Sequence, residues 1–327
     1  MSEFNVIVTK HEDCYIVENS GVYYKVGTQE GKILERIVNN ESIEEILKKE
    51  KITEEQLKEL VDGFQKAGVI GKQKKKKNNI FFYRIPLMQA DKLFCKIVEV
   101  IKRHMFLVKL LLTLSIAINV LGCIFTGIHF KEIFRLSSLK LDVGEYVIIY
   151  MTFLISVCFH EFAHGVVCKY YGGKVGTLGF MLIFFSPAMY CDISGIRVIE
   201  SKYKKIMASF AGIYVNLFFM SLASVLFAIC HRPIWAAFII MSFTTILSNL
   251  IPFIRLDGYW ILSFATGITN LYTKSLKGVK KLLMKCSLQE RFIAIYGAFT
   301  YGFIIMALCS LGVSVVQVVH YAINIFI

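Results

Sequence analysis

The residues best suited to catalysis lie in one short run, His160-Glu161-Phe162-Ala163-His164. On a helix, the two histidines stand one turn apart on the same face, so both imidazoles can reach a single metal ion. Glu161 points to one side of them, where a carboxylate can act as a general base. The run therefore has the spacing of a zinc hydrolase, in which the zinc needs a third protein ligand and an open position for water.

Composition places this run in a membrane. The chain has 327 residues, of which 56% are hydrophobic, and its mean hydropathy is +0.58. Apolar segments long enough to be transmembrane helices cover residues 106–128, 146–171, 207–230, 234–268 and 292–327. We therefore expect a polytopic α-helical membrane protein with about five to six transmembrane helices. The HEFAH run falls in the second segment, where ionisable groups are costly and mark a functional site.

A shorter apolar stretch, from Leu178 to Tyr190, is too short to cross a bilayer as a helix. It contains Pro187, which cannot donate a backbone hydrogen bond. The stretch is therefore predicted to form a re-entrant or sheet-like insert.

The third metal ligand must come from another part of the chain. Segment 234–268 carries only two charged residues, Arg255 and Asp257, and as one helix it would be longer than the hydrocarbon core. We expect it to break at Pro252, which leaves Asp257 on irregular backbone at membrane depth. A carboxylate there is a candidate zinc ligand, and the alternative is pairing with Arg255 or capping of a helix.

The HEFAHG run, together with the NLIP run at 249–252 and the LDG run at 256–258, resembles the site-2 protease family of intramembrane zinc metalloproteases. The resemblance covers roughly residues 143–268. It implies that His160, His164 and Asp257 bind Zn²⁺ and that Glu161 is the catalytic base.

The same resemblance implies a role for Asn249, which would hydrogen-bond an extended substrate strand; helix packing is the alternative for this residue. Two further runs, FSPAMYCD at 185–192 and AGIY at 211–214, resemble a bacterial branch of peptide zinc metalloproteases. Within the first run, Tyr190 to Asp192 are predicted to form a turn or an Asx cap and are not counted among the site residues.

Residues 1–71 predict a small α+β domain of winged-helix type. Apolar and polar residues alternate over 5–10, 14–17 and 22–26, and helical patterns follow over 29–38, 42–49 and 53–67. This order resembles the PqqD-like peptide-recognition domains, which implies that the leader of a ribosomally made peptide adds as a strand to the sheet edge. A generic winged-helix regulatory head is the alternative.

Basic residues predict how the chain meets the membrane. A basic linker at 72–90 contains the KQKKKK run and precedes an amphipathic helix at 91–105, which we expect on the membrane surface, and residues 106–327 form the protease domain. The net charge of +13 lies beside apolar runs, so it indicates lipid head groups and argues against nucleic acid. Nine scattered cysteines without a CxxC pair predict free thiols.

The distribution of Lys and Arg predicts the orientation. Segments 169–206 and 254–291 carry six and seven of these residues, whereas loops 129–145 and 231–233 carry four between them. We therefore expect a multi-pass protein of the bacterial plasma membrane with a cytoplasmic N-terminal domain. The first residues carry no signal-peptide pattern, so insertion is expected to use the internal spans.

These features predict a zinc-dependent endopeptidase that cleaves a small ribosomally made precursor, or its leader, after the N-terminal domain has captured it. The first alternative is a signalling protease that releases a membrane-tethered regulator. The second is a non-catalytic membrane protein that binds peptides or confers immunity. Against this last alternative stands Glu161, which zinc binding alone would not require.

Overall fold

Three strands and three helices open the chain in this computed structural model, which describes residues 6–71, 82–183, 186–279 and 287–326. The elements are β1 (Val6–Lys10), β2 (Tyr15–Asn19), β3 (Val22–Val26), α1 (Thr28–Val38), α2 (Ile43–Glu50) and α3 (Glu54–Ala67). The strands form an antiparallel sheet in the order β1-β2-β3. Its core includes Tyr15, Val17 and Leu34, each almost fully buried. The small N-terminal sheet and the helices after it are confirmed; whether the domain is a winged helix stays a prediction.

Local sequence signals determine where these helices begin and end. Thr53 and Gln56 form a capping box at the start of α3: the Gln56 N–H donates to Thr53 Oγ1 at 3.2 Å, and the Thr53 N–H donates to Gln56 Oε1 at 2.9 Å. Gly68 ends the helix at a φ of +77°, a left-handed conformation that favours glycine. Asn19 then donates to the carbonyls of Gly68 and Gly71, at 3.2 and 3.0 Å, and ties this end to β2.

A second sheet lies where the sequence predicts a linker and an insert. Strand β4 (Phe82–Gln89) pairs antiparallel with β5 (Thr177–Ile183), which pairs with β6 (Ser186–Cys191). Of the two forms predicted for residues 178–190, the sheet-like one is observed in the described parts, 178–183 and 186–190. Strand β4 is not predicted, because the lysine run at 72–77 led to the prediction of a linker over the whole of 72–90. The lysine run itself lies outside the described residues.

Helices make up most of the rest. They are α4 (Asp91–Arg103), α5 (Met105–Ile128), α6 (Phe130–Ser137), α7 (Val143–Tyr170), α8 (Lys202–Cys230), α9 (Pro233–Leu250), α10 (Asp257–Thr266), α11 (Leu271–Gly278) and α12 (Leu288–Phe326), with a short 3-10 helix at Ser194–Val198. In the described part of the chain, α5, α7, α8 and α9 are long and apolar enough to cross a membrane. A mostly helical membrane protein is therefore supported, whereas a total of five to six spans stays a prediction.

The predicted break in segment 234–268 is present, but its far end differs from the prediction. Helix α9 ends at Leu250, and α10 begins at Asp257. Asp257 is therefore the first residue of a helix, whereas irregular backbone was expected there. The chain divides into two units, residues 1–243 and 244–327. The core of the second unit contains Tyr259, Leu271 and Tyr296.

The prediction about the thiols is confirmed wherever the structure describes a cysteine. Eight cysteines fall in the described ranges, and all eight are free.

Candidate metal centre

Helix α7 carries the HEFAH run in its second half. Asp142 and Glu145 form a capping box at its start, and the helix continues for 28 residues to Tyr170. His160 and His164 are 7% and 4% exposed, so both imidazoles are buried within a membrane-length helix bundle. Burial of two such groups needs compensating partners.

The first partner fixes the orientation of one imidazole. His164 Nδ1 lies 2.7 Å from the carbonyl oxygen of Ala208 in α8. Because a carbonyl only accepts hydrogen bonds, Nδ1 carries the proton and Nε2 is the ring nitrogen that can serve as a metal ligand. Nε2 of His164 lies 3.1 Å from Nε2 of His160. Two nitrogens bound to one tetrahedral zinc would be about 3.3 Å apart, so the pair fits that ion.

Space beside these nitrogens depends on a glycine in α8. A Cβ on Gly212 would lie 2.4 Å from Nε2 of His164 and 2.5 Å from Nε2 of His160. Any side chain at this position would fill the space in front of both donor atoms. Gly212 belongs to the AGIY run, which the sequence marks by resemblance alone.

Glu161 contacts the second sheet. Its Oε2 accepts a hydrogen bond of 3.0 Å from the backbone amide of Cys191, the last residue of β6. The sequence gives no sign of this contact, because a backbone amide donates whatever side chain its residue carries. Asp192 forms the predicted Asx turn, since its Oδ1 accepts from the amide and the hydroxyl of Ser194 at 3.0 and 2.6 Å.

A second glycine allows α4 and β6 to approach the motif. A Cβ on Gly165 would lie 2.5 Å from Phe94 Cζ and 2.9 Å from Cys191 Sγ. The rings of Phe94 and Phe162 also pack together, with centroids 4.9 Å apart. Helix α4 and strand β6 therefore both press on the face of α7 that carries Glu161.

Asp91 anchors α4 beside the site. Its carboxylate accepts from Lys169 Nζ at 2.8 Å and from the Val175 amide at 2.9 Å. Partial burial alone would raise the pKa of Asp91, but these hydrogen bonds and the charges of Lys169 and Lys174 hold that pKa below its usual value. The ionised form of Asp91 thus joins α4, the end of α7 and the segment just before β5.

In the second unit, Asp257 follows the break directly. A Cβ on Gly258 would lie 2.4 Å from the carbonyl oxygen of Leu250, so the LDG glycine packs against the end of α9. The Tyr296 hydroxyl donates to the carbonyl of Pro252 and supports the irregular segment. Asn249 is half-buried in the last turn of α9.

Arg255 is engaged in contacts of its own. Its guanidinium carbon lies 4.7 Å from the centre of the Tyr272 ring. Its Nη2 donates to the Thr273 hydroxyl at 3.2 Å.

His160 and His164 of the first unit and Asp257 of the second unit each offer one atom that can ligate a metal ion. Two imidazole nitrogens and a carboxylate oxygen are a donor set that catalytic zinc sites use. These residues could therefore hold a metal ion. The fold and this site together define the protein as a membrane protein with a candidate metal centre.

A likeness to a curated protein agrees with this class. The chain is 29% identical over 130 residues to the "Putative peptide zinc metalloprotease protein YydH" of Bacillus subtilis (strain 168). The match covers 39% of this chain and 51% of that protein, so the chain spans about half the length of its relative. No family model and no solved structure matches the chain. The likeness supports a zinc metalloprotease family.

Proposed function

We propose that this chain is an intramembrane zinc-dependent endopeptidase. The observation that carries the proposal is the pair of buried imidazoles of His160 and His164, whose Nε2 atoms lie 3.1 Å apart, with Glu161 beside them on the same helix. That helix is of membrane-crossing length. The likeness to a protein named as a peptide zinc metalloprotease supports the same reaction class.

In this proposal, His160, His164 and Asp257 hold the metal. When bound, Zn²⁺ supplies Lewis-acid polarisation of the scissile carbonyl and lowers the pKa of water. Glu161 takes a proton from the attacking water and delivers it to the leaving amine. The Cys191 amide donates to Glu161 Oε2 and thereby holds the carboxylate in place for this transfer. Asn249 is proposed to bind the substrate backbone beside the break.

We also propose the arrangement in the membrane. Helix α12, which has 39 residues, would be a fifth span. The excess of Lys and Arg in segments 169–206 and 254–291 supports a cytoplasmic N-terminal domain in the bacterial plasma membrane. Helix α4 buries Phe94 and Val98 and carries lysines elsewhere on its surface, which supports its place at the lipid head groups.

The proposed substrate is a small ribosomally made peptide precursor or its leader. Residues 1–71 would capture it as a PqqD-like, winged-helix domain, because a three-stranded sheet with an edge offers unpaired backbone groups to an extended peptide. The linker at 72–90 and the helix at 91–105 would join this domain to the protease at 106–327.

A signalling protease is the second candidate. The ion pair between Glu18 Oε1 of β2 and Lys174 Nζ, at 2.7 Å, ties the N-terminal domain to the segment just before β5. A domain held there could sense a ligand and regulate the site. A non-catalytic peptide-binding role is less well supported, because Glu161 is held in place as a base would need to be.

Zinc content and cleavage test the proposal in detergent or liposomes. Purified protein should hold one zinc per chain by plasma mass spectrometry and should cleave a co-encoded precursor peptide. Glu161→Gln should abolish cleavage and retain the metal, whereas Asp257→Ala should lower zinc occupancy. Arg255→Ala is the matched control. It removes a charge close to Asp257 in the sequence, and the Arg255 guanidinium contacts Tyr272 and Thr273. Unchanged zinc in Asp257→Ala would exclude the proposed third ligand.

A further inference from the structure

Helix α5 contacts α8 through a polar stripe, although most of its surface is apolar and exposed. The buried residues of α5 are Asn119, Gly122 and Thr126, which recur at helical spacing on one face. A Cβ on Gly122 would lie 2.6 Å from the Cα of Ser221 in α8, so the two backbones approach closely there. The helices therefore pack through small and polar residues, a common arrangement inside membranes.

Asn119 differs from the polar residues on either side of it. Ser115 hydrogen-bonds the Tyr214 hydroxyl, and Thr126 Oγ1 lies 2.8 Å from Ser224 Oγ. Asn119 is only 4% exposed, and among the described residues neither its Nδ2 nor its Oδ1 has a hydrogen-bond partner. The hydroxyls thus join the two helices, whereas the Asn119 amide does not.

An unsatisfied amide at membrane depth is costly unless it binds something. An amide presents both donors and an acceptor, and water is the small molecule that satisfies both at once. A further polar group lies close by, because Ser221 Oγ is 3.5 Å from the backbone carbonyl oxygen of Asn119. The stripe therefore has the polar groups that a buried water needs.

Buried polar side chains continue from this point towards the candidate metal centre. On α8, Asn216 precedes Ser221 by five residues, which is about 7.5 Å of helix. Ser156 of α7 donates to Asn216 Oδ1 at 3.3 Å, and Ser156 stands one turn before His160. Both residues of this pair are at least 96% buried. The sequence of groups is thus Asn119, Ser221, Asn216, Ser156 and His160.

We propose that Asn119 binds ordered water in the contact between α5 and α8, and that this hydrated seam supplies water to the candidate metal centre. The supply step rests on the proposed function, whereas the hydration of Asn119 does not. Peptide hydrolysis consumes one water for each bond: its oxygen bonds to the carbonyl carbon, the carbon–nitrogen bond breaks, and its proton passes to the leaving amine. A site enclosed by apolar helices needs a route for this reactant.

Water-edited solid-state NMR tests the hydration of Asn119 in the full-length protein. The protein would be labelled with 15N-asparagine and placed in liposomes, and Asn119→Leu would identify the Asn119 side-chain signal. We expect that signal to receive magnetisation from water at a rate within severalfold of that of Asn40, which is exposed in the N-terminal domain. The proposal would be overturned if the Asn119 signal received no magnetisation from water at a mixing time at which the Asn40 signal has already reached its full intensity.

Kinetics of the same variant test the supply of water. Asn119→Leu should lower kcat by roughly tenfold, with unchanged KM and zinc content, and the melting temperature should stay the same or rise. Asn119→Ser should restore most of the rate. The control Thr126→Val loses the 2.8 Å hydrogen bond to Ser224 and should lower stability but keep kcat.

The two proposals fail in different ways. If the wild-type protein cleaves no peptide, the proposed function fails, and the NMR result still decides whether Asn119 is hydrated. If the wild type cleaves its substrate and Asn119→Leu matches its kcat, the supply of water through this seam is excluded.

Discussion

The two three-stranded sheets of this protein differ in how their strands find each other. In the sheet β1-β2-β3, neighbours in sequence are neighbours in space, and Ser20 and Gly21, both at positive φ, form the tight turn between β2 and β3. In the sheet β4-β5-β6, Gln89 pairs with Thr177 across α4 to α7. The first sheet can form from residues that are close together in the sequence. The second sheet can form only when the chain from α4 to α7 has folded so that β4 and β5 meet.

The two sheets also differ in what they contact. The first buries Tyr15 and Val17 in a core of its own. The second exposes Tyr83, Ile85 and Leu87 on β4, and its last strand donates a hydrogen bond to Glu161. The difference teaches that the locally encoded sheet packs into a core made by its own segment, whereas the sheet assembled over long range contacts the candidate catalytic base.

The largest effect should come from removing the amide at the end of β6. Cys191→Pro has no N–H to donate to Glu161, so we expect activity to fall by about 10²-fold, the lower end of what a positioned base contributes. Cys191→Ala keeps the amide and should retain most activity. Peptide cleavage, zinc content and circular dichroism would be measured for both. Equal cleavage rates for Cys191→Pro and Cys191→Ala would show that the hydrogen bond from the second sheet to Glu161 does not contribute to catalysis.

A smaller effect is expected where α4 and β6 press on α7. Gly165→Ala places a Cβ 2.5 Å from Phe94 and 2.9 Å from Cys191 Sγ. We expect it to lower the free energy of unfolding by about 1–3 kcal/mol and to slow cleavage. Gly127→Ala is the control, because a Cβ there meets no atom within 4 Å. Thermal unfolding of both variants would show whether crowding, rather than loss of a glycine, is responsible.

In the first sheet, Asn19→Ala should act on one domain alone. The variant loses hydrogen bonds to the carbonyls of Gly68 and Gly71, so the N-terminal domain should lose about 1–3 kcal/mol of stability. Hydrogen exchange would rise across residues 6–71, with zinc content and exchange of α7 unchanged. Faster exchange throughout α7 would contradict the independence of the first sheet.

The smallest effect should appear as a pH dependence of the second sheet. Because the folded pKa of Asp91 lies below its unfolded value of about 3.9, its stabilising effect is present in full above that pH. The effect is lost as the pH falls through the lower folded pKa. Asp91→Asn should flatten the acid side of the stability curve measured by thermal unfolding between about pH 3 and 6. An unchanged curve would show that Asp91 does not stabilise this region.

Much of the fold is predictable from short-range signals, and the exceptions have physical causes. The helix predicted over 53–67 is observed as α3, because the residues that begin and end it, Thr53 and Gly68, lie directly beside it in the sequence. Strand β4 cannot be predicted in this way, because its partner lies far along the chain and its side chains do not alternate between buried and exposed.

The candidate site divides in the same manner. The spacing of His160 and His164 shows directly in the sequence, and the break at Pro252 follows from segment length. The exact start of α10 at Asp257 depends on the close packing of Gly258 against Leu250, which no local pattern reveals. The hydrogen bond from the Cys191 amide cannot be predicted for a different reason, since every residue except proline has a backbone N–H.

The pairing of β4 with β5 also has a consequence for biosynthesis. Strand β4 leaves the ribosome before β5 has been made, and the 87 residues between Gln89 and Thr177 take roughly 4 to 17 s to translate. During this interval β4 has no partner strand, and the chain between them, α4 to α7, is being made. The HEFAH run is thus made before β6, so Glu161 is synthesised before the Cys191 amide that donates to it.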